Sequence, residues 1–260
     1  MISNYILFEN KKLNSDKILK ITSKIQYENF TDESKYIVKT PEQVLRKKEA
    51  VCYDLVELQR KLFNQIGYEF KTFFAYENLP ITDNPTHTFL VFKENNKYYW
   101  FESSWQSYKA IHGPFNSYQD TIKYFSKQIK KANKWKNVNI VEYNKFNYRN
   151  MNLNEFGQYI LNKHNIYPII KFPKHEWNDY KKRLKNNEII STTRIYDEFD
   201  KYVIGHKYKT EWDDILKVVK VNKLNNIKDH PWYNNMDKND IKQISKTNKI
   251  DHVFLKKEKI

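Results

Sequence analysis

Residues 87–102 read HTFLVFKENNKYYWFE, two short apolar arms around a polar ENNK. Runs of this kind, bounded by turn-forming residues, fold as an antiparallel hairpin. A hairpin leaves its sequence little freedom, because side chains alternate between faces and the turn decides which residues meet. His87 opens the first arm and Glu102 closes the second. Either one, buried at a strand end without a partner, costs free energy. If Glu94 and Asn95 form a two-residue turn, His87 lies directly opposite Glu102. If Asn95 and Asn96 form it, a good type I′ choice, the two are diagonal neighbours on one face. Only a loop of odd length separates them, so the hairpin offers an imidazole and a carboxylate to each other and to a third group.

A candidate for that group stands upstream. From Cys52 onward, Leu55, Val56, Leu58, Leu62, Phe63 and Ile66 recur at helical spacing, and Gly67 is a natural stop. Cys52 therefore falls in the first turn of an amphipathic helix, where the positive end of the helix dipole favours a thiolate. Thiol chemistry needs a nucleophile, a base that later returns the proton, and a group that orients the base. Cys52, His87 and Glu102 supply one of each. Taken singly, each also has an ordinary structural role. Asp54, two residues on, either favours the helix end or positions substrate. Trp100 and Trp105 either pack the hairpin or line a groove.

The order of these elements, with EAVCYDLVELQRKLF, IGYEFKTFFAY, PTHTFLVF and YYWFESSW as they stand here, resembles the transglutaminase-like superfamily. Its members share a papain-like Cys-His-Asp triad, and the resemblance spans about 20–145. It implies Cys52 as nucleophile, His87 as general base and then acid, and Glu102 as the orienting acid, where aspartate is more usual. The implied activity is cysteine-dependent acyl transfer from a peptide or amide carbonyl, whether as protease, amidase or crosslinking enzyme, with a peptide or protein substrate and no cofactor.

Elsewhere the first part of the chain reads as helix and strand in alternation. Thr40, Pro41 and Gln43 form a capping-box pattern opening a short helix, FKTFFAY is strand-like, and residues 117–131 are helical. The polar stretch 144–154 is the expected boundary, giving domains at 1–148 and 149–260. With 16 Phe, 20 Tyr and 6 Trp, aromatic side chains fill much of the core despite a hydrophobic content of 40%. One cysteine excludes an intramolecular disulfide and a multi-cysteine zinc site. Histidines 164, 175, 206, 230 and 252 show no metal-ligand spacing. The amino terminus lacks a secretory pattern, and no apolar run approaches the roughly 18–20 residues that span a bilayer. These features lead us to expect a cytoplasmic setting, in a bacterial cell or a phage-infected host, with no membrane partner.

The formal net charge of +15 is shared almost evenly, +8 before residue 150 and +7 after it. It serves either as solvated surface or as a polyanion-facing patch. Beyond the boundary, NEFGQYILNK and EWNDYKKRLKN read as helices, KNDIKQISKTN as a polar helix, and the remainder as short strands. KRLKNNEIISTTRIYDEFDKYVIGHKYKTEW, with ILKVVKVNKL, resembles the ASCH domain, a small barrel of the PUA-like fold, through Thr192-Thr193-Arg194 and the turn at Gly205. That resemblance implies an RNA or nucleotide ligand. Thr192, Arg194, Lys181, Lys182, Arg183 and Lys185 are its candidate contacts, since arginine suits planar recognition of phosphate or base. The EIIST stretch lacks the lysine that family hydrolases carry just before the threonine. The overall expectation is α+β: a transglutaminase-like, papain-like domain followed by a PUA-like ASCH β-barrel. The alternative is a catalytically silent, basic nucleic-acid-binding or scaffold protein.

Overall fold

The computed structural model describes residues 13–258 apart from 31, 80, 82–83, 173, 193–203 and most of 225–249. The chain divides into two compact units, Met1–His164 and Asn165–Ile260.

In the first unit, helix α1 (Ser15–Thr22) and the two-residue strand β1 (Gln26–Tyr27) precede helix α2 (Pro41–Lys47). The expected capping box opens α2: the Thr40 hydroxyl accepts from Gln43 N at 3.3 Å and Thr40 N donates to the Gln43 side chain at 2.8 Å. Strand β2 (Glu49–Ala50) pairs in parallel with β1, Tyr27 matching Ala50. Helix α3 (Cys52–Gln65) follows at once. It stops before Gly67, whose φ of 72° is a left-handed conformation that glycine adopts without a Cβ penalty.

The strands β3 (Glu69–Tyr76), β4 (Thr86–Glu94), β5 (Lys97–Glu102), β6 (Ala110–Phe115) and β7 (Asn139–Tyr143) form an antiparallel sheet in the order β6-β5-β4-β3-β7. Alternation sorts its side chains between two helices. Leu90, Phe92 and Phe101 cluster with Leu55, Leu58, Leu62 and Phe63 of α3. Phe73, Phe89, Val91 and Trp100 cluster with Phe125 and Ile129 of helix α4 (Tyr118–Asn133). Each such side chain contributes about 1.5–3 kcal/mol on full burial. His87 belongs to the odd-numbered series of β4 and Glu102 to the even-numbered series of β5, so both lie on the α4 side of the sheet.

Helix α5 (Leu153–Lys163) lies past the expected break at residue 148, yet it belongs to the first unit. Its buried Phe156 meets the Tyr53 ring at 4.8 Å, and Asn152 bridges to Ile37. The polar stretch before it is a connection within this unit, and the helix is held by its apolar face.

The second unit comprises β8 (Ile169–Ile170), helix α6 (Lys174–Lys185), β9 (Ile190–Thr192), β10 (Lys207–Thr210), β11 (Ile215–Leu224) and β12 (Ile250–Lys257). Its sheet runs β8-β10-β11-β12-β9, with only the β8–β10 pair parallel. Trp177, Tyr180 and Leu184 of α6 pack on Ile190, Tyr208, Leu216, Val253 and Leu255. Among the described residues these strands make one open sheet, and closure into the expected PUA-like barrel is not seen in them. Arg194 and most of the expected helix at KNDIKQISKTN lie outside the described residues. No helix among the described residues is long and apolar enough to cross a membrane.

Candidate active site

Cys52 is the first residue of α3 and is 4% exposed. The residue before it, Val51, has no side-chain acceptor with which to cap the helix. Asp54 does that work from the third helical position. Its carboxylate accepts from Val51 N at 3.0 Å and Lys39 N at 2.6 Å, and also from the Tyr36 hydroxyl. The Lys39 ammonium stands 3.8 Å away and pairs with Glu28 as well. Burial pushes the Asp54 carboxyl up, while these donors and the lysine charge pull it back. Asp54 is 0% exposed. Asp54 thus braces the start of the nucleophile's helix. The Cys52 N–H, one of the orphan donors of a first turn, has no partner among the described residues.

The hairpin adopts the second of its two registers. Asn95 and Asn96 form the turn with φ of 51° and 59°, and Glu94 pairs with Lys97. Asparagine tolerates this left-handed region better than glutamate does. Leu90 pairs with Phe101, so continuing the register sets Glu102 opposite Phe89, with His87 two residues further along. A diagonal neighbour lies about 7–8 Å away by backbone, a gap that a longer acid spans more readily. The Glu102 carboxylate reaches His87 Nε2 at 2.9 Å. Its other oxygen accepts from Ser104 N, Ser104 Oγ and Trp105 N at 2.7, 2.7 and 2.9 Å.

With Nε2 given to Glu102, Nδ1 is the nitrogen left for Cys52, whose side chain is hydrogen-bonded to the imidazole. The ring stacks on Phe125 at 5.9 Å, and Trp105 meets it edge-on at 6.1 Å. Burial alone lowers an imidazole pKa; here the Glu102 charge, the hydrogen bonds from Cys52 and Glu102, and the Cys52 charge outweigh it and push His87 up to about 10. Burial also penalises the Glu102 carboxylate, yet the His87 charge and its hydrogen bonds hold it below the ordinary value.

This pair sets a pH window. A histidine raised from 6.5 to about 10 on folding adds stability that is complete below 6.5 and is lost as pH rises through 10. A glutamate lowered from 4.5 adds stability present above that value and lost on acidification. The first unit is expected to be most stable between 4.5 and 6.5 with respect to this pair and to weaken steadily toward pH 10. Glu102→Gln removes the charge that raises His87, so urea unfolding of that variant is expected to change less between neutral and alkaline pH. An alkaline loss as large as that of the wild type would contradict the assignment.

Two contributors were not visible in the sequence. Gln59 on α3 donates to Ser103 Oγ at 2.9 Å, tying the cysteine's helix to the turn that carries Glu102. Tyr27, held beside Ala50 by the β1–β2 pairing, is 40% exposed and its hydroxyl makes no hydrogen bond among the described residues. The Cys52 charge, then burial, then the Glu102 charge push that phenol well up. Trp105 is half-buried against Tyr108 at 4.1 Å and supports Glu102 through its backbone, so it stands at the site with one edge open.

No family model matches the chain, and neither does any curated protein. Among solved structures it is similar to LapG of Legionella pneumophila. An EGTA-treated form is 14% identical with a TM-score of 0.35, covering 54% of this chain and 69% of that one. A second LapG structure is 15% identical with a TM-score of 0.35, covering 56% and 75%. A likeness of this degree decides nothing about activity, which is argued from the side chains alone.

Among the described residues, the candidate contacts of the second unit lie on separate elements. Thr192 is 5% exposed within β9, where it pairs with Val253. Arg183 is engaged locally, donating to Glu188 at 3.0 Å and to the Ile189 carbonyl at 3.2 Å. Lys181, Lys182 and Lys185 lie on the solvent side of α6, opposite its buried Trp177, Tyr180 and Leu184. Thr192 thus lies within the sheet, and Arg183 is held against its own loop. Among the described residues no group of three His, Cys, Asp or Glu side chains is placed to hold a metal.

Proposed function

We propose that the first unit performs cysteine-dependent acyl transfer on a peptide or amide carbonyl. The observation that carries this reading is the convergence of the single cysteine, at a helix N-terminus, with a histidine whose other nitrogen is held by a buried glutamate. Cys52 Sγ attacks the carbonyl carbon, and the carbonyl electron pair moves onto oxygen. The Cys52 N–H faces that oxygen, and the partnerless Tyr27 hydroxyl supplies a second donor. Protonated His87 gives its Nδ1 proton to the departing amine as the C–N bond breaks, leaving a thioester. Water then attacks the thioester, His87 takes the water's proton, and the acid product leaves with the thiolate restored. Glu102 holds the ring in the orientation that both transfers require. For the second unit, recruitment of RNA or a nucleotide rests on the resemblance around Gly205 and on the exposed lysines of α6.

Iodoacetamide at pH 6.5 tests the first reading without knowledge of the substrate. Native protein is expected to be alkylated at Cys52 at least about tenfold faster than the urea-unfolded chain, since an adjacent histidine base activates a thiol nucleophile. Mass spectrometry of the intact protein counts the adduct. A native rate equal to or slower than the unfolded rate defeats the proposal.

A further inference from the structure

The even split of charge between the two halves hides a concentration within the first. Residues 118–136 carry six lysines and one aspartate, so this segment holds +5 of the +8 found before residue 150. The six are Lys123, Lys127, Lys130, Lys131, Lys134 and Lys136, and every one is exposed. At about 100° per residue, Lys123, Lys127 and Lys130 fall within a stripe roughly 60° wide, and Lys134 extends it past the last turn. The stripe lies opposite Thr121, Phe125 and Ile129, the buried face of α4.

Among the described residues these lysines have no counter-ion, as is also so for Lys17, Lys20 and Lys24, while several others of the unit are paired. Lys35, Lys39, Lys61, Lys71 and Lys93 each pair with a carboxylate. Among the described residues, none of the six on α4 and its following turn makes an ion pair or a side-chain hydrogen bond. Position at the helix C-terminus accounts for Lys130 and Lys131, where cations complement the dipole. It does not account for Lys123 and Lys127, which sit in the second and third turns.

The chemistry of the ridge narrows its partner. A lipid surface needs an apolar face to enter the bilayer boundary, and the apolar face of α4 is already committed to the sheet. Protein interfaces are depleted in lysine and anchored by aromatic side chains or arginine, neither of which the stripe presents. A row of flexible point charges about 10 Å long between Lys123 and Lys130 suits a linear polyanion read by charge alone. We propose that the outward face of α4 is a sequence-independent nucleic-acid contact, with Lys123, Lys127, Lys130 and Lys134 neutralising successive phosphates of one strand. This contact is independent of the cysteine chemistry and lies on a different element from the α6 residues that the sequence pointed to.

The test uses the full chain and a fluorescein-labelled twenty-nucleotide poly(dT), followed by anisotropy between 50 and 200 mM salt. Lys123→Gln/Lys127→Gln/Lys130→Gln keeps strong helix formers in place. It is expected to weaken binding at least about tenfold at the lowest salt and to reduce the slope of log K against log salt by about 2, at roughly 0.7 for each phosphate no longer neutralised. Lys17→Gln/Lys20→Gln/Lys24→Gln removes the same charge from the α1 region and is expected to stay within about twofold of wild type. Three results overturn the proposal: no binding by wild type at 50 mM salt, equal weakening by both triple variants, or a ridge variant that loses binding to phosphatidylglycerol vesicles while keeping its hold on poly(dT).

Discussion

Replacing His87 by alanine is expected to slow acylation of Cys52 by about 10²–10⁴-fold, the usual worth of a positioned acid–base group. Iodoacetamide labelling at pH 6.5 is expected to fall to the rate of the unfolded chain or below it. The change does two things. It removes the imidazole that is hydrogen-bonded to the thiol, and it leaves Glu102, 2% exposed, without the charge that holds its pKa down. The second effect costs stability, so the variant is compared at a temperature where circular dichroism shows it folded. Glu102→Gln separates the contributions, because the ring remains and only its orientation and charge partner change. The expected order of labelling rates is wild type, then Glu102→Gln, then His87→Ala. A folded His87→Ala protein that labels as fast as wild type would mean that the histidine does not activate the cysteine.

Asp54→Ala is expected to be the most destabilising single substitution at the site, at about 3–5 kcal/mol, because it leaves a buried hydroxyl and two backbone donors without their acceptor and the buried Lys39 ammonium with Glu28 alone. The carboxylate answers Val51 N, Lys39 N and the Tyr36 hydroxyl at once, and Lys39 is itself buried. Loss of that acceptor frays the first turn of α3, where Cys52 sits. In urea, the transition of the first unit is expected to move to lower concentration with little change in slope. Labelling is expected to slow as well, even under conditions where most molecules stay folded. A loss below about 1 kcal/mol would place Asp54 among ordinary helix-end acids, whose interaction with the dipole is worth that much or less.

The parts of this site that the sequence disclosed are those governed by short-range periodicity. Alternation put His87 and Glu102 on one face for either two-residue turn, and the tolerance of asparagine for positive φ explains why Asn95 and Asn96 make the turn. Helical spacing placed Cys52 in a first turn. What the sequence left open depended on burial. The sequence did not announce that the Asp54 carboxylate is fully enclosed at the helix start, or that Thr192 lies buried in β9. Gln59 and Tyr27 were illegible for a related reason: each reaches the site through tertiary packing, across 44 residues for the Gln59–Ser103 bond. The charge of α4 was concealed by scale, since halves of similar net charge say nothing of one helix face.

The Asn95–Asn96 turn has a further consequence, for the order in which the site comes apart. His87 and Glu102 are joined through a hairpin whose loop is two residues long, so the chain entropy opposing their encounter is close to the minimum a pair of strands can have. Cys52 arrives instead by the docking of α3 on the far side of the sheet, a contact made between distant stretches of chain. Local opening follows the weaker attachment. Heat, denaturant or a core substitution in α3 is expected to detach the thiol while the imidazole and carboxylate still hold each other, so reactivity disappears before the hairpin does.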